Sequence, residues 1–261
     1  MAEVSSYAPG TPSWVDLATS DPEGARNFYG RLFGWSFEVG PAETGHYTMC
    51  QLHGGNVAGM AGEPAREGVP TAWTTYMATD DADAVARRIA EGDGTVLMGP
   101  MDVMSQGRLL VAADPAGALF GVWQAGDLVG ASVVNEPGSL VWSELATRDL
   151  AAAQVFYTQV FGHAWEPVDT GEGGPAYQVF SVDGRAVGGA MQMTADWPEQ
   201  IPSHWMAYFA VEDTEAAAAA AQELGGTVRV PPTDSPYGRF AVLSDPQGAV
   251  FTVMQAAAGG G

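Results

Sequence analysis

Apolar residues recur in this chain with two periods, the two-residue period of a β-strand and the 3.6-residue period of an α-helix. Residues 14–18 alternate as expected for a half-buried β-strand. Asp21 then stands where a helix cap is expected, and the apolar side chains after it recur at helical spacing: Ala25, Phe28, Tyr29 and Leu32. Gly34 ends this stretch, as glycine commonly does at a helix C-terminus. The pattern therefore predicts a strand followed by an amphipathic helix.

Shorter strand-like runs follow, and the scheme then starts again. Three strands are predicted at residues 35–39, 46–53 and 56–61. The second round predicts a strand at 72–79, a helix at 82–90 capped by Asp81, and strands at 95–98, 107–112 and 119–124. This order, strand, helix and three strands performed twice, predicts an α+β fold.

The whole arrangement recurs after about 130 residues, the size of a small domain. The segment Trp-Val-Asp-Leu-Ala-Thr that begins at Trp14 returns as Trp-Ser-Glu-Leu-Ala-Thr from Trp142. Such a period is too long for a solenoid repeat. We therefore predict a first domain at 1–125, a linker at 126–138, a second domain at 139–256 and a disordered tail at 257–261.

Composition narrows the classes of partner. The chain has 10 Arg and Lys residues against 31 Asp and Glu, for a formal charge of −21. Such a charge disfavours nucleic acid and anionic membranes. The single cysteine, Cys50, excludes an internal disulfide. Neither a secretory signal nor a long apolar span is visible, so a cytoplasmic protein is expected.

These features resemble the vicinal oxygen chelate superfamily, which includes glyoxalase I, bleomycin-resistance proteins and extradiol dioxygenases. The resemblance is carried by Ser20-Asp21, Phe28-Tyr29 and Phe33-Gly34, by the turn Asp114-Pro115-Ala-Gly117, and by their counterparts in the second half. It implies two tandem domains, each built of paired βαβββ modules that form a cupped mixed sheet. Within the superfamily, these motifs most resemble those of two-domain glyoxalase-like proteins of actinobacteria.

The resemblance also implies where metal ligands stand in enzymes of this superfamily. Those positions fall here on Trp14, Thr74 and Gly121 in the first half, and on Trp142, Met206 and Thr252 in the second. Such side chains do not form a set of metal donors. We therefore expect no metal and no other cofactor. A non-standard site that recruits His46, His53 or His204 remains open.

Side chains two residues along a strand share a face, so Asp16 is expected beside Trp14 and Glu144 beside Trp142 inside the cups. Each carboxylate either pairs with an arginine (Arg108 and Arg239 are candidates), hydrogen-bonds a ligand, or acts as a general acid or base. The indoles of Trp14 and Trp142 are expected to form a platform for a flat apolar ligand. The other candidate ligand-binding residues lie on the same sheets: Tyr47, Tyr76, Tyr177, Met206 and Tyr208. Arg108 and Arg239 complete this ligand-binding set.

Two classes of function fit these residues better than the rest. The first is metal-independent binding, for sequestration or tailoring, of a bulky hydrophobic or aromatic small molecule such as a polyketide-like secondary metabolite. The second is a metal-free tailoring enzyme that uses Asp16 or Glu144 to move a proton. A divalent-metal glyoxalase or dioxygenase is a third alternative. Both a monomer and a homodimer remain open, because the covalent repeat can supply both halves of a site.

Overall fold

The first half consists of two modules, each a strand, a helix and three strands. In a computed structural model of the chain, residues 4–62, 70–171 and 173–257 are described. The strands of the first half are β1 (Pro12–Ala18), β2 (Ser36–Val39), β3 (Thr48–Leu52), β4 (Gly55–Met60), β5 (Ala72–Thr79), β6 (Thr95–Val103), β7 (Gly107–Ala113) and β8 (Leu119–Ala125). Its helices are α1 (Pro22–Phe33) and α2 (Ala82–Glu91).

The second half repeats this order. Its strands are β9 (Leu140–Thr147), β10 (Ala164–Val168), β11 (Tyr177–Val182), β12 (Arg185–Gln192), β13 (His204–Ala210), β14 (Thr227–Ser235), β15 (Gly238–Ser244) and β16 (Val250–Ala256). Its helices are α3 (Leu150–Phe161) and α4 (Thr214–Glu223). Of the tail predicted to be disordered, residues 258–261 lie outside the described residues.

Each half forms one eight-stranded mixed sheet. The order in the first is β2-β3-β4-β1-β5-β8-β7-β6, and the second sheet has the equivalent order. The two central strands, β1 and β5, are antiparallel, while β1–β4 and β5–β8 are parallel pairs. The α+β fold of two tandem cupped-sheet domains is confirmed.

Local sequence explains where the helices begin. The side chains of Asp21, Asp81, Asp149 and Asp213 each accept a hydrogen bond from the backbone N–H three residues later. This satisfies a donor that has no partner within the helix. Among the described helices, none is long and apolar enough to cross a bilayer.

The helices pack in core clusters that combine side chains of both sheets. Val15 and Leu17 are fully buried in a cluster that also contains Phe209 and Phe251 of the second half. Because side chains alternate along a strand, Trp14 and Asp16 point to the other face of the sheet. We call the concave faces of the first and second sheets cup 1 and cup 2.

Two mixed cores join the halves. One core combines β1–β4 and α1 with the last module of the second half, and the other combines β5–β8 and α2 with the first module of that half. Each core contains a buried hydrogen bond between halves. Tyr29 donates to Asp245 at 3.0 Å, and Tyr157 donates to Asp114 at 3.1 Å. Both aspartates belong to the Asp-Pro turns that carried the family resemblance.

One strand is longer than predicted. The strand-like pattern of β6 ends at residue 98, because Gly99-Pro100 interrupts it. The strand continues to Val103, and its pairing with β7 shifts register between Met98 and Met101. The extension brings Met101 and Val103 to the wall of cup 1.

The segment predicted as a linker packs on the first sheet. The backbone N–H of Ala131 donates to the carbonyl of Ser13, and that of Ser132 to the carbonyl of Asn56, both at 2.8 Å. Ala131 is completely buried. The part of this segment around Ala131 and Ser132 is therefore bound to the first sheet, whereas the backbone N–H of Gly138 donates to Ala210 of the second half.

Candidate functional site

Cup 1 contains a cavity of 740 Å³. Its described lining includes four aromatic side chains, Trp14, Tyr47, Tyr76 and Trp123. Aliphatic and thioether groups complete the apolar wall: Met49, Met101, Val103, Met104, Leu109 and Leu128. A volume within the range of small-molecule sites, together with an aromatic wall, is typical of a pocket for a ligand of drug size.

A hydrogen-bonded network of Trp14, Asp16, Tyr47 and Tyr76 stands on the inner face of the sheet. The indole N–H of Trp14 donates to the Tyr47 hydroxyl at 3.1 Å. The Tyr76 hydroxyl donates to Oδ2 of Asp16 at 3.1 Å, and the Tyr47 hydroxyl donates to the same oxygen over a longer 3.4 Å. The aromatic wall of the cavity therefore includes a carboxylate held by two phenols.

Two glycines make room for this network. A β-carbon at Gly121 would overlap the ring of Tyr76, and one at Gly59 would overlap the hydroxyl of Tyr47. Gly121 is a position where the family resemblance implies a metal ligand. In this chain the Tyr76 ring occupies the space that a side chain at that position would need.

The linker covers part of the network. Ala131 packs in a cluster with Trp14, Tyr76 and Trp123, and Leu128 joins its edge. The carbonyl of Leu128 also accepts the indole N–H of Trp123 at 2.7 Å. Trp14 is consequently 4% exposed and Tyr76 is 7% exposed. The linker both closes one side of cup 1 and holds Trp123 in place.

Burial raises the pKa of Asp16 to about 6, and the hydrogen bonds from Tyr76 and Tyr47 offset only part of that rise. The pKa values of both tyrosines are also raised by burial and by the nearby Asp16. The phenols therefore remain protonated donors at neutral pH. Asp16 is the group in cup 1 whose charge changes near neutrality.

This pKa has a measurable consequence for stability. Between pH of about 4 and about 6 the folded protein holds a proton on Asp16 that the unfolded chain releases. The associated stabilisation is complete below that window and is lost as pH rises through about 6. Asp16→Asn stays neutral, so we expect it to be more stable than wild type above pH 6 by about 3 kcal/mol, with the difference vanishing below pH 4. Urea unfolding across pH 4–8 measures this.

The comparison between variant and wild type is needed because His163 titrates in an overlapping window with the opposite sign. Burial lowers the pKa of His163 to about 4, and its Nε2 contacts the carbonyl of Gly10 at 2.8 Å. Stability from this residue is lost as pH falls from about 6.5 to about 4. His163 is present in both proteins, so its effect cancels. A difference between the two proteins that is independent of pH would contradict the raised pKa of Asp16.

Cup 2 repeats the network with changes. Trp142 donates to the Tyr177 hydroxyl at 3.1 Å, and the Tyr208 hydroxyl donates to Oε1 of Glu144 at 2.9 Å. Burial raises the pKa of Glu144. Met206 pairs with Glu144 across neighbouring strands. Trp142 and Tyr208 are only half-buried, whereas their counterparts in cup 1 are buried.

The arginines considered as possible partners of Asp16 and Glu144 pair with other acidic residues. Arg108 forms ion pairs with Asp102 at 2.8 Å and Asp83 at 3.0 Å, and Arg239 forms the equivalent pairs with Asp234 and Glu215. Asp83 and Glu215 lie on α2 and α4. Because Leu109 faces cup 1, the alternation of β7 directs Arg108 toward the helices instead. Phenols, rather than arginines, hold the two carboxylates.

The histidines weighed as recruited metal ligands are separated. His46 and His53 adopt positive φ angles in turns at the two ends of β3, and Nδ1 of His204 contacts the carbonyl of Pro202 at 2.8 Å. Within the described ranges there is no group of three His, Cys, Asp or Glu residues that could hold a metal ion.

Sequence reasoning missed several residues of cup 1, chiefly Trp123, Leu109, Asp127 and Leu128. Trp123 could have been predicted, because it lies two residues after Gly121 on the same strand and therefore shares its face of the sheet. Asp127 and Leu128 gave no comparable signal, since a glycine- and proline-rich linker does not reveal where it packs.

Comparison with known proteins identifies the family. The model of the Glyoxalase/Bleomycin resistance protein/Dioxygenase superfamily matches residues 11–122 and again residues 139–253. The chain belongs to this superfamily.

Three relatives match nearly their whole length. This superfamily member is 43% identical over 262 residues to CFP32 of Mycobacterium bovis, a glyoxylase by name, covering 98% of this chain and 99% of the relative. It is 40% identical over 274 residues to the anthracycline biosynthesis protein DnrV of Streptomyces peucetius, and the alignment covers 97% of this chain and 98% of DnrV. For the anthracycline biosynthesis protein DauV of Streptomyces sp. strain C5, the identity is 39% over 263 residues, which cover 95% of this chain and 94% of DauV.

Solved structures support the fold. The Mn(II)-bound glyoxalase of Novosphingobium aromaticivorans superposes with a TM-score of 0.66 at 14% identity, over 95% of this chain and 82% of the other. The 2,3-dioxygenase LapB of Pseudomonas sp. KL28 gives 0.65 at 16% identity, over 95% and 92%. At such low identity the likeness extends to architecture alone.

A metal such as the Mn(II) of the Novosphingobium glyoxalase does not fit the side chains at the ligand positions that the resemblance implies. The positions where the resemblance implies ligands hold an indole, a hydroxyl and a glycine in cup 1, and an indole, a thioether and a hydroxyl in cup 2. Divalent ions in this type of site need imidazole, carboxylate or amide donors. Asp16 and Glu144 are the carboxylates of the two networks, and each is engaged by tyrosine hydroxyls.

Proposed function

We propose that the protein binds a bulky, flat aromatic small molecule in cup 1, without a metal, as part of the tailoring or sequestration of a secondary metabolite. The observation that carries this proposal is the 740 Å³ cavity, whose wall combines two indoles and two phenols with flexible thioethers. Aromatic rings stack on planar ligands, and methionine side chains adapt to irregular shapes.

Asp16 gives the cavity a polar anchor for such a ligand. Its carboxylate already accepts two phenolic hydrogen bonds and retains further acceptor capacity. A hydroxyl group on the ligand can donate to it without leaving a buried charge unsatisfied. The site therefore favours a ligand that is aromatic over most of its surface and carries a hydroxyl at one edge.

The relatives support the ligand class. DnrV and DauV are named as anthracycline biosynthesis proteins, and each aligns with nearly all of this chain. A polycyclic aromatic polyketide has the flat, hydroxylated shape that the cavity favours. We therefore place the ligand among polycyclic hydroxylated aromatics.

Titration of hydroxyanthraquinones, followed by tryptophan fluorescence, tests the proposal. We expect saturable quenching with a dissociation constant of roughly micromolar order for three- and four-ring compounds, and much weaker binding of single-ring phenols. Trp123→Phe should remove a large part of the quenching, because that indole lies in the cavity wall. No saturable response from any polycyclic compound would contradict the proposal.

A second candidate function is metal-free proton transfer. It is favoured by the pKa of Asp16, which burial places at about 6, near the operating pH of a general acid or base. Such an enzyme would move a proton between carbon and oxygen of a bound phenolic ketone. In that case, the double variant Asp16→Asn with Glu144→Gln should abolish turnover and leave most of the ligand affinity. Unchanged turnover would make both carboxylates structural.

A further inference from the structure

The charged side chains that line cup 1 are all acidic among the described residues. Five of the described lining residues are acidic: Asp16, Glu38, Glu43, Asp102 and Asp127. Among the described residues that line the cavity there is no Arg, Lys or His. Asp16 stands within the cavity beside the tyrosines, whereas the other four are exposed. Asp102 is paired with Arg108, so Glu38, Glu43 and Asp127 are the acidic residues of the cavity mouth. A ligand that enters cup 1 therefore passes carboxylates at the mouth and meets another inside.

Most of this charge is not compensated within the described parts of the chain. Asp102 is paired with Arg108 at 2.8 Å. Glu38 accepts a long hydrogen bond of 3.4 Å from the side-chain amide of Gln51, which is neutral. No ion pair is found among the described residues for Glu38, Glu43 or Asp127. Among the described residues, no cationic side chain therefore offsets the negative charge of these three carboxylates.

The aromatic wall reinforces the same preference. The faces of indole and phenol rings carry negative electrostatic potential and attract cations, and indole attracts them most strongly. Trp14 and Trp123 supply indoles to the cavity, and Tyr47 and Tyr76 supply phenols. The acidic side chains and the ring faces therefore favour the same sign of ligand charge by separate physical effects.

We propose that the ligand of cup 1 carries a protonated amine, which lies among the mouth carboxylates while the aromatic body lies against the indoles. This inference rests on the proposed function and narrows its ligand class to cationic aromatics. The three mouth carboxylates Glu38, Glu43 and Asp127 act as specificity-determining residues. They raise the affinity for the amine, and they repel ligands that bear a carboxylate in its place.

Three compounds with one aromatic body test the charge preference: 9-(aminomethyl)anthracene, 9-anthracenemethanol and 9-anthracenecarboxylate. We expect the amine to bind about tenfold more tightly than the alcohol at low ionic strength, with the carboxylate weakest. The preference should shrink at about 0.5 M salt, because exposed charges are screened. Calorimetric titration gives all three dissociation constants.

A variant of the mouth and a control variant elsewhere test whether the mouth carboxylates cause the preference for the amine. Asp127→Asn with Glu43→Gln should lower the affinity for the amine several-fold more than it changes that for the alcohol. Asp183→Asn removes one charge in an exposed turn of the second half and should leave the amine-to-alcohol ratio unchanged. Asparagine also tolerates the positive φ of that position.

The outcomes separate this inference from the proposed function. If amine and alcohol bind equally well at low salt, the cationic preference is wrong and an aromatic site remains. If the ratio responds equally to Asp183→Asn and to the mouth variants, the mouth carboxylates do not determine it. If none of the three compounds binds, both the cationic preference and the aromatic site are contradicted.

Discussion

Replacing Met49 and Leu109 together by tryptophan should weaken binding of polycyclic ligands by about 100-fold or more. Both side chains line the cavity of cup 1 and are half-buried, so the added indoles extend into the space that the ligand needs. Overfilling an open cavity disturbs the core less than overfilling a packed interior, and the fold should persist. Calorimetric titration measures the loss of affinity, and thermal unfolding measures the fold.

The repeat offers a matched control for this experiment. Val179 and Phe240 occupy the equivalent strand positions in cup 2, opposite Gly189 and Met254, as Met49 and Leu109 stand opposite Gly59 and Trp123. Val179→Trp with Phe240→Trp adds bulk to cup 2 and should leave the affinity nearly unchanged. Equal loss in both double variants would mean that the ligand site is not confined to cup 1.

The second large effect concerns stability. Tyr29→Phe should lower the free energy of unfolding by about 3 kcal/mol, because it removes two buried hydrogen bonds at once. The Tyr29 hydroxyl donates to Asp245 at 3.0 Å and accepts the indole N–H of Trp73 at 3.0 Å. Tyr157 forms the same pair of bonds, with Asp114 and Trp205, in the other core.

Because the two tyrosines lie in separate core clusters, their effects should add. The double variant Tyr29→Phe with Tyr157→Phe should therefore lose roughly twice as much as either single variant, measured by urea unfolding at pH 7. Tyr237→Phe is the control, since its side chain is 52% exposed and the change should be within about 0.5 kcal/mol. Wild-type stability in the double variant would show that these bonds do not hold the halves together.

Much of the fold could be predicted because local and long-range signals agree. The helix caps Asp21 and Asp81, the alternation of residues 14–18 and the return of the pattern at Trp142 all indicate the same modules. The extended β6 could not be predicted, because its continuation past Gly99-Pro100 depends on pairing with β7.

The site could be predicted only in part. Alternation along β1 was sufficient to place Trp14 and Asp16 together on one face, and the structure adds Tyr47 and Tyr76 to them. What the sequence could not reveal was the partner of each carboxylate, since that depends on which strands become neighbours. It also could not reveal that residues 126–138 close one side of cup 1, because that contact joins distant parts of the chain.

The placement of the ligand in cup 1 is tested most directly by NMR of the indole N–H groups of the eight tryptophans. In protein labelled with ¹⁵N, single Trp→Phe variants assign the resonances, and a hydroxyanthraquinone is then titrated. The resonances of Trp14 and Trp123 should shift with saturation, while those of Trp35, Trp73 and Trp205, which lie in the cores between the sheets, stay in place. Shifts confined to Trp142, or no shift at saturating ligand, would contradict binding in cup 1.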